Sequence, residues 1–144
     1  MYLLDTNVVA ELRKAKAGKA NKGVTAWANS VAPASLFLSS ITVLEMELGI
    51  LLIERRDPAQ GGILRAWMDD YVLPAFIDRI LAIDTAVARR CAQVHVPDPK
   101  SERDAFIAAT ASVHGMIVVT RNIADFAATS VATLNPWEHD IGGA

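Results

Sequence analysis

Short, wholly apolar runs alternate with helix-forming stretches along this chain, and that alternation restricts the fold more than any other feature. Tyr2–Leu4, Leu36-Phe-Leu38 and Met116-Ile-Val-Val119 are apolar at every position, the pattern of strands buried on both faces of a sheet rather than of half-exposed ribbons. Asp78–Ile83 and Val131–Leu134 read as further strands. Between them the sequence predicts helices over Val8–Arg13, Thr25–Ser30, from Ser39, Ser40 or Thr42 to about Arg56, Ile63–Val72, Thr85–His95 and Ser101 to Gly115. Lys14–Lys22 is expected to be a flexible basic loop, and Asp57-Pro-Ala-Gln-Gly-Gly62 a turn cluster. The fold class that follows is α/β: a mostly parallel central sheet flanked by helices on both faces, in a single domain over residues 1–144.

Composition supports one domain with a full core. Hydrophobic residues make up 52 % of the 144 positions and charged residues 21 %, which excludes intrinsic disorder. The longest apolar stretches, such as Gly49-Ile-Leu-Leu-Ile53, fall well short of the roughly 20 residues that span a bilayer, and Met1-Tyr-Leu-Leu-Asp5 carries no export signal. No membrane association is expected, and the location expected is the cytoplasm. The lone cysteine, Cys91, rules out an internal disulfide and reads as a small buried hydrophobe.

Open α/β sheets hold their ligands beyond the carboxyl ends of the strands, and acidic residues fall at such places. Asp5 directly follows the first strand, Asp125 comes soon after Met116–Val119, and Asp104 lies in the first turn of the helix feeding that strand. Each has a plain alternative as a cap or turn former. Glu45 is more informative: at helical spacing it shares a face with Ile41, Leu48, Gly49 and Leu52, whereas Glu47 and Glu54 lie opposite. A carboxylate inside an apolar stripe is costly unless paired, neutralised or bound to a cation. The competing explanation is a capping box, since Thr42-Val-Leu-Glu45 has the required spacing.

Several carboxylates at one sheet edge repel one another without a cation. All-oxygen donors, with no cysteine cluster and no metal-ligand spacing among His95, His114 and His139, suit Mg²⁺ or Mn²⁺ rather than zinc. Such a site points to metal-assisted phosphoryl chemistry on water. The net charge of −2 becomes +2 once those four acids are set aside, so the rest of the chain is compatible with a polyanionic substrate. Arg121, beside the expected pocket, is the candidate phosphate contact.

With these residues in view, the sequence resembles the PIN-domain ribonucleases, specifically the VapC/FitB-type toxins of bacterial toxin–antitoxin pairs. The likeness is carried by L-L-D-T-N-V-V-A-E-L-R at 3–13, S-S-I-T-V-L-E-M-E-L-G at 39–49, D-A-F-I-A-A-T-A at 104–111, V-V-T-R-N-I-A-D-F at 118–126 and L-N-P-W-E at 134–138. The resemblance implies that Asp5, Glu45, Asp104 and Asp125 form a catalytic acidic quartet holding Mg²⁺ or Mn²⁺. In it Asp5 and Asp104 are the direct ligands, while Glu45 and Asp125 bind through water or complete a second metal position. It implies supporting roles for Thr6, Asn7, Thr120 and Asn122, and cleavage of RNA. It also implies a homodimer, and a cognate antitoxin covering the acidic groove in a heterotetramer or larger assembly.

Two other readings remain at this point. One is a DNA-binding co-repressor acting through its antitoxin. The other is a Mg²⁺-binding phosphate-receiver module, which normally wants paired acids at the first strand end and a lysine after a late strand. This chain offers a single Asp5 and Arg121-Asn122 there.

Overall fold

The computed structural model describes residues 1–141. Five short strands form one parallel sheet: β1 (Tyr2–Leu4), β2 (Leu36–Ser39), β3 (Ile80–Leu81), β4 (Ile117–Val119) and β5 (Thr133–Leu134), in the order β3-β2-β1-β4-β5. The helices are α1 (Thr6–Leu12), α2 (Lys22–Ser30), α3 (Ser40–Arg56), α4 (Pro58–Trp67), α5 (Leu73–Ala75), α6 (Thr85–Val94) and α7 (Glu102–His114).

Alternation along β1 sends neighbouring side chains to opposite faces. Leu4 joins Val8, Val24, Leu38, Met46, Ile50 and Val119 on one side. Leu3 joins Ile107, Ala108, Ala111, Val118 and Phe126 on the other. The sheet is therefore covered twice, which is why the neighbouring strands β1 and β4 are apolar throughout. Small residues do further work in α7: Ala105 and Ala109 pack against Val87 and the buried Cys91 of α6, while Ala108 and Ala111 face the sheet. Gly115, at φ 65°, ends α7 in the left-handed conformation and releases the chain into β4. Among the described residues no helix is long and apolar enough to cross a membrane.

Four local expectations need correction. Residues 14–22 are organised: a 3₁₀ turn at Ala15–Ala17 ends at Gly18, and the Glu11 carboxylate accepts from the Asn21 N–H at 2.8 Å and from Lys14 at 3.2 Å. Asn21 then caps α2, accepting from the Val24 N–H. Asp57–Gly62 is not a turn: Asp57 ends α3 and starts α4, its side chain accepting from the Gln60 N–H with Pro58 as the first helical residue. The strand foreseen over Asp78–Ile83 shrinks to Ile80–Leu81, because Asp78 sits at φ 66° and strands cannot hold that geometry. Last, the helix expected to run from Ile63 to Val72 widens into a π-helical turn at Met68–Val72 before α5.

Candidate active site

The parallel strands bring the chain segments after β1, β2 and β4 to one edge of the sheet, and that edge is acidic. Asp5 follows β1 directly, its N–H still in the ladder with the Val119 carbonyl at 2.9 Å. It also caps α1: Oδ1 accepts from the Thr6 N–H at 2.9 Å. Its other oxygen, Oδ2, accepts from the Thr120 hydroxyl at 2.8 Å and from the Asn7 amide at 3.4 Å. The Asn7 amide also reaches Thr120 Oγ at 3.3 Å, while its carbonyl oxygen accepts from the Arg121 N–H. Asn122 enters this web through its backbone, its N–H donating to Thr120 Oγ and its carbonyl accepting from the Asp125 N–H.

Asp5 is only 7 % exposed. Burial pushes its carboxyl above the usual range, against the hydrogen bonds from Thr120, Thr6 and Asn7, and the negative charge of Asp125 adds to the rise. Asp104, in the first turn of α7, is half-buried and also raised. Desolvation is the main cause, followed by repulsion from Asp125, Asp5 and Glu45, while the Ser101 hydroxyl opposes the shift. One carboxyl thus senses the other three, although the four come from widely separated segments. Asp125 is exposed, on a 3₁₀ turn at Ile123–Thr129.

Glu45 is placed from two directions. The Thr6 hydroxyl donates to Oε1 at 2.8 Å, and the Arg103 guanidinium stands 3.7 Å from Oε2. The capping-box explanation fails: Ser39 caps α3, accepting from the Ile41 N–H, and Thr42 lies inside the helix, fully buried. The expected apolar setting of Glu45 is also corrected. The covered face of α3 is Thr42, Met46 and Ile50, whereas Leu48 and Leu52, which flank Glu45, are exposed. Glu47 and Glu54, on the side away from Glu45, share the guanidinium of Arg65.

Arg121 is not paired with the quartet in this arrangement. Its guanidinium lies over the Trp137 ring, 5.1 Å from the centroid, and its charge is felt at Glu11. Arg103 stands beside Glu45 instead, and no local pattern singles it out, since an arginine preceding an aspartate in a helix's first turn is commonplace.

Among the described residues no three acidic, histidine or cysteine side chains stand close enough to enclose an ion as they are. The donor set nevertheless fits a hard divalent cation: it is all oxygen and like-charged, and the charges of its neighbours help to raise Asp104 and Asp5. His95 is occupied elsewhere, its Nδ1 accepting from the Lys100 N–H.

The fold is a parallel sheet in the order β3-β2-β1-β4-β5 with acidic side chains beyond its strand ends. The PIN domain family model matches residues 2–131, and the chain belongs to that family. Within it the chain is 37 % identical to the toxin FitB of Neisseria gonorrhoeae, over 97 % of this chain and 100 % of that protein. It is 36 % identical to the VapC ribonuclease Y4jK of Sinorhizobium fredii, over 96 % and 99 %. The solved structure of FitAB bound to an IR36 DNA fragment superposes with a TM-score of 0.86 at 36 % identity, covering 99 % of this chain and 100 % of that one.

Proposed function

We propose that this chain is a metal-dependent endoribonuclease and the toxin half of a toxin–antitoxin pair. The observation that supports this reading is that the charges of Asp125, Asp5 and Glu45 all act on the carboxyl of Asp104. Similarity to a VapC ribonuclease supports RNA as the substrate, and similarity to the toxin FitB supports the toxin role. Asp5 and Asp104 would hold Mg²⁺ or Mn²⁺ directly, with Glu45 and Asp125 completing the site. Such an ion makes bound water a usable nucleophile and neutralises charge developing on the phosphate.

The chain's own residues supply orientation. Thr120, Asn7 and the Thr6 N–H fix Asp5 with both oxygens engaged, and the Thr6 hydroxyl fixes Glu45. Arg121 would reach an RNA phosphate only by giving up its stacking on Trp137.

Two apolar surfaces support the partner assignments. A groove of about 430 Å³ is lined by Leu12, Ile63, Ala66, Trp67 and Tyr71, with Arg13 and Lys16 lying over the Trp67 and Tyr71 rings. Apolar floor and cationic rim suit an acidic amphipathic antitoxin segment. Leu44, Leu48, Leu51 and Leu52 form an exposed face on α3, and a second copy of the chain would cover it. The solved DNA complex of FitAB favours a second role, operator binding through the antitoxin.

The test is cleavage of labelled RNA by the purified chain. Activity should require Mg²⁺ or Mn²⁺, vanish in EDTA and fall by more than about 100-fold in Asp5→Asn or Asp104→Asn. Full cleavage by those variants in EDTA overturns the assignment.

A further inference from the structure

Arg103 is the cation of this site for which the reaction so far has no use. It sits in the first turn of α7, next to Asp104, with its side chain 49 % exposed and 3.7 Å from Oε2 of Glu45 on α3. Glu45 is the better buried partner, 25 % exposed, and its other oxygen is already engaged by Thr6. Arg103 therefore stands against the remaining oxygen of a carboxylate that belongs to the proposed quartet, and it is itself about half exposed.

We propose that Arg103 shares Glu45 with the divalent cation and is the residue that grips the RNA backbone at the cleavage edge. This rests on the nuclease reading above. While the acidic edge carries no ion, the guanidinium offsets the charge of Glu45 and holds it in register with Thr6. Once Glu45 is committed to an ion, the pairing is weakened by the like charge of the newcomer, and a half-exposed guanidinium beside the acids is free to meet a phosphate. Arginine suits this exchange because its planar fork donates to a carboxylate or a phosphate through the same N–H groups. Arg121 cannot serve in the same way without giving up Trp137.

The two halves of the proposal predict opposite changes from one substitution. Removing a cation that competes for Glu45 should tighten metal binding, by about threefold for a partly exposed pair. Removing a phosphate contact should raise the KM for RNA, by about tenfold for a charge-assisted hydrogen bond. A residue that only pins α3 to α7 would do neither.

The experiment compares the full chain with Arg103→Gln and Arg103→Lys. Mn²⁺ affinity is read from the loss of the free-ion electron paramagnetic resonance signal, and KM and kcat from cleavage of a fluorophore–quencher single-stranded RNA. Arg103→Gln should bind Mn²⁺ more tightly and raise KM by a larger factor than it lowers kcat. Arg103→Lys should return Mn²⁺ affinity to the starting value and recover KM only in part, since lysine restores the charge without the fork. If the unsubstituted chain binds Mn²⁺ and cleaves RNA while Arg103→Gln leaves both Mn²⁺ affinity and KM unaltered, Arg103 is a surface ion pair and the proposal falls. If the unsubstituted chain neither binds Mn²⁺ nor cleaves, the nuclease reading itself fails, and this inference with it.

Discussion

The Thr6 hydroxyl donates a 2.8 Å hydrogen bond to Oε1 of Glu45, joining the start of α1 to the second turn of α3. The same residue donates its backbone N–H to Asp5. One threonine therefore sets the orientation of two carboxylates, through atoms that a single substitution can separate.

Thr6→Val keeps the N–H and loses the hydroxyl. Cleavage should drop by about tenfold, the scale seen when a group orienting a metal ligand is removed. Stability should fall by no more than about 1 kcal/mol, because a half-buried side-chain hydrogen bond contributes only that much. Parallel activity and urea-unfolding measurements separate the two effects.

The raised carboxyls of Asp5 and Asp104 make stability depend on pH in a definite direction. Each holds its proton more tightly folded than unfolded, so the unfolded chain ionises first as pH rises. Their charges therefore oppose the fold above the ordinary aspartate range, and the penalty is complete once pH exceeds the folded values. Asp104→Asn should melt a few degrees higher than the parent at neutral pH in EDTA, with the gap closing as pH falls toward 4. Added Mn²⁺ should raise the melting temperature of the parent more than that of the variant.

Thr42 is fully buried, and its hydroxyl has no hydrogen-bond partner in the described structure. Such a group carries a desolvation cost that nothing offsets. Thr42→Val, nearly isosteric, should stabilise the protein by about 1 kcal/mol, read as a shift of the denaturation midpoint at constant slope. A loss of stability would mean that the hydroxyl has a partner, such as an ordered water.

Gly61 and Gly62 are neighbours in α4 with opposite expectations. A Cβ on Gly61 would lie 2.6 Å from the Cα of Glu54, so Gly61→Ala forces α4 away from α3 and should cost about 1–3 kcal/mol. A Cβ on Gly62 would meet nothing within 4 Å, so Gly62→Ala should gain about 0.5–1 kcal/mol from the restricted unfolded chain. Thermal melts of the two variants should move in opposite directions.

The sequence by itself determined the elements whose signals are local. The wholly apolar runs of β1, β2 and β4 and the glycine after α7 act through backbone geometry and burial on both sides. They need no knowledge of distant residues. The positions of Asp5 and Asp104 were legible too, because a strand end and a helix first turn follow from those same elements, whereas Glu45 was singled out for an apolar setting it does not have. Tertiary structure decided the rest. The helix α3 is apolar nearly all round, so its period does not choose between the face of Met46 and Ile50, which is covered, and that of Leu48 and Leu52, which is not. Asp57-Pro58 is equally good as a turn and as a cap followed by a first helical residue, and the packing of Gly61 on Glu54 selects the helix. The pairing of Arg103 with Glu45 depends on where α3 and α7 lie in space. Contacts between segments far apart in the chain leave no periodic trace, since no local backbone preference encodes the distance between them.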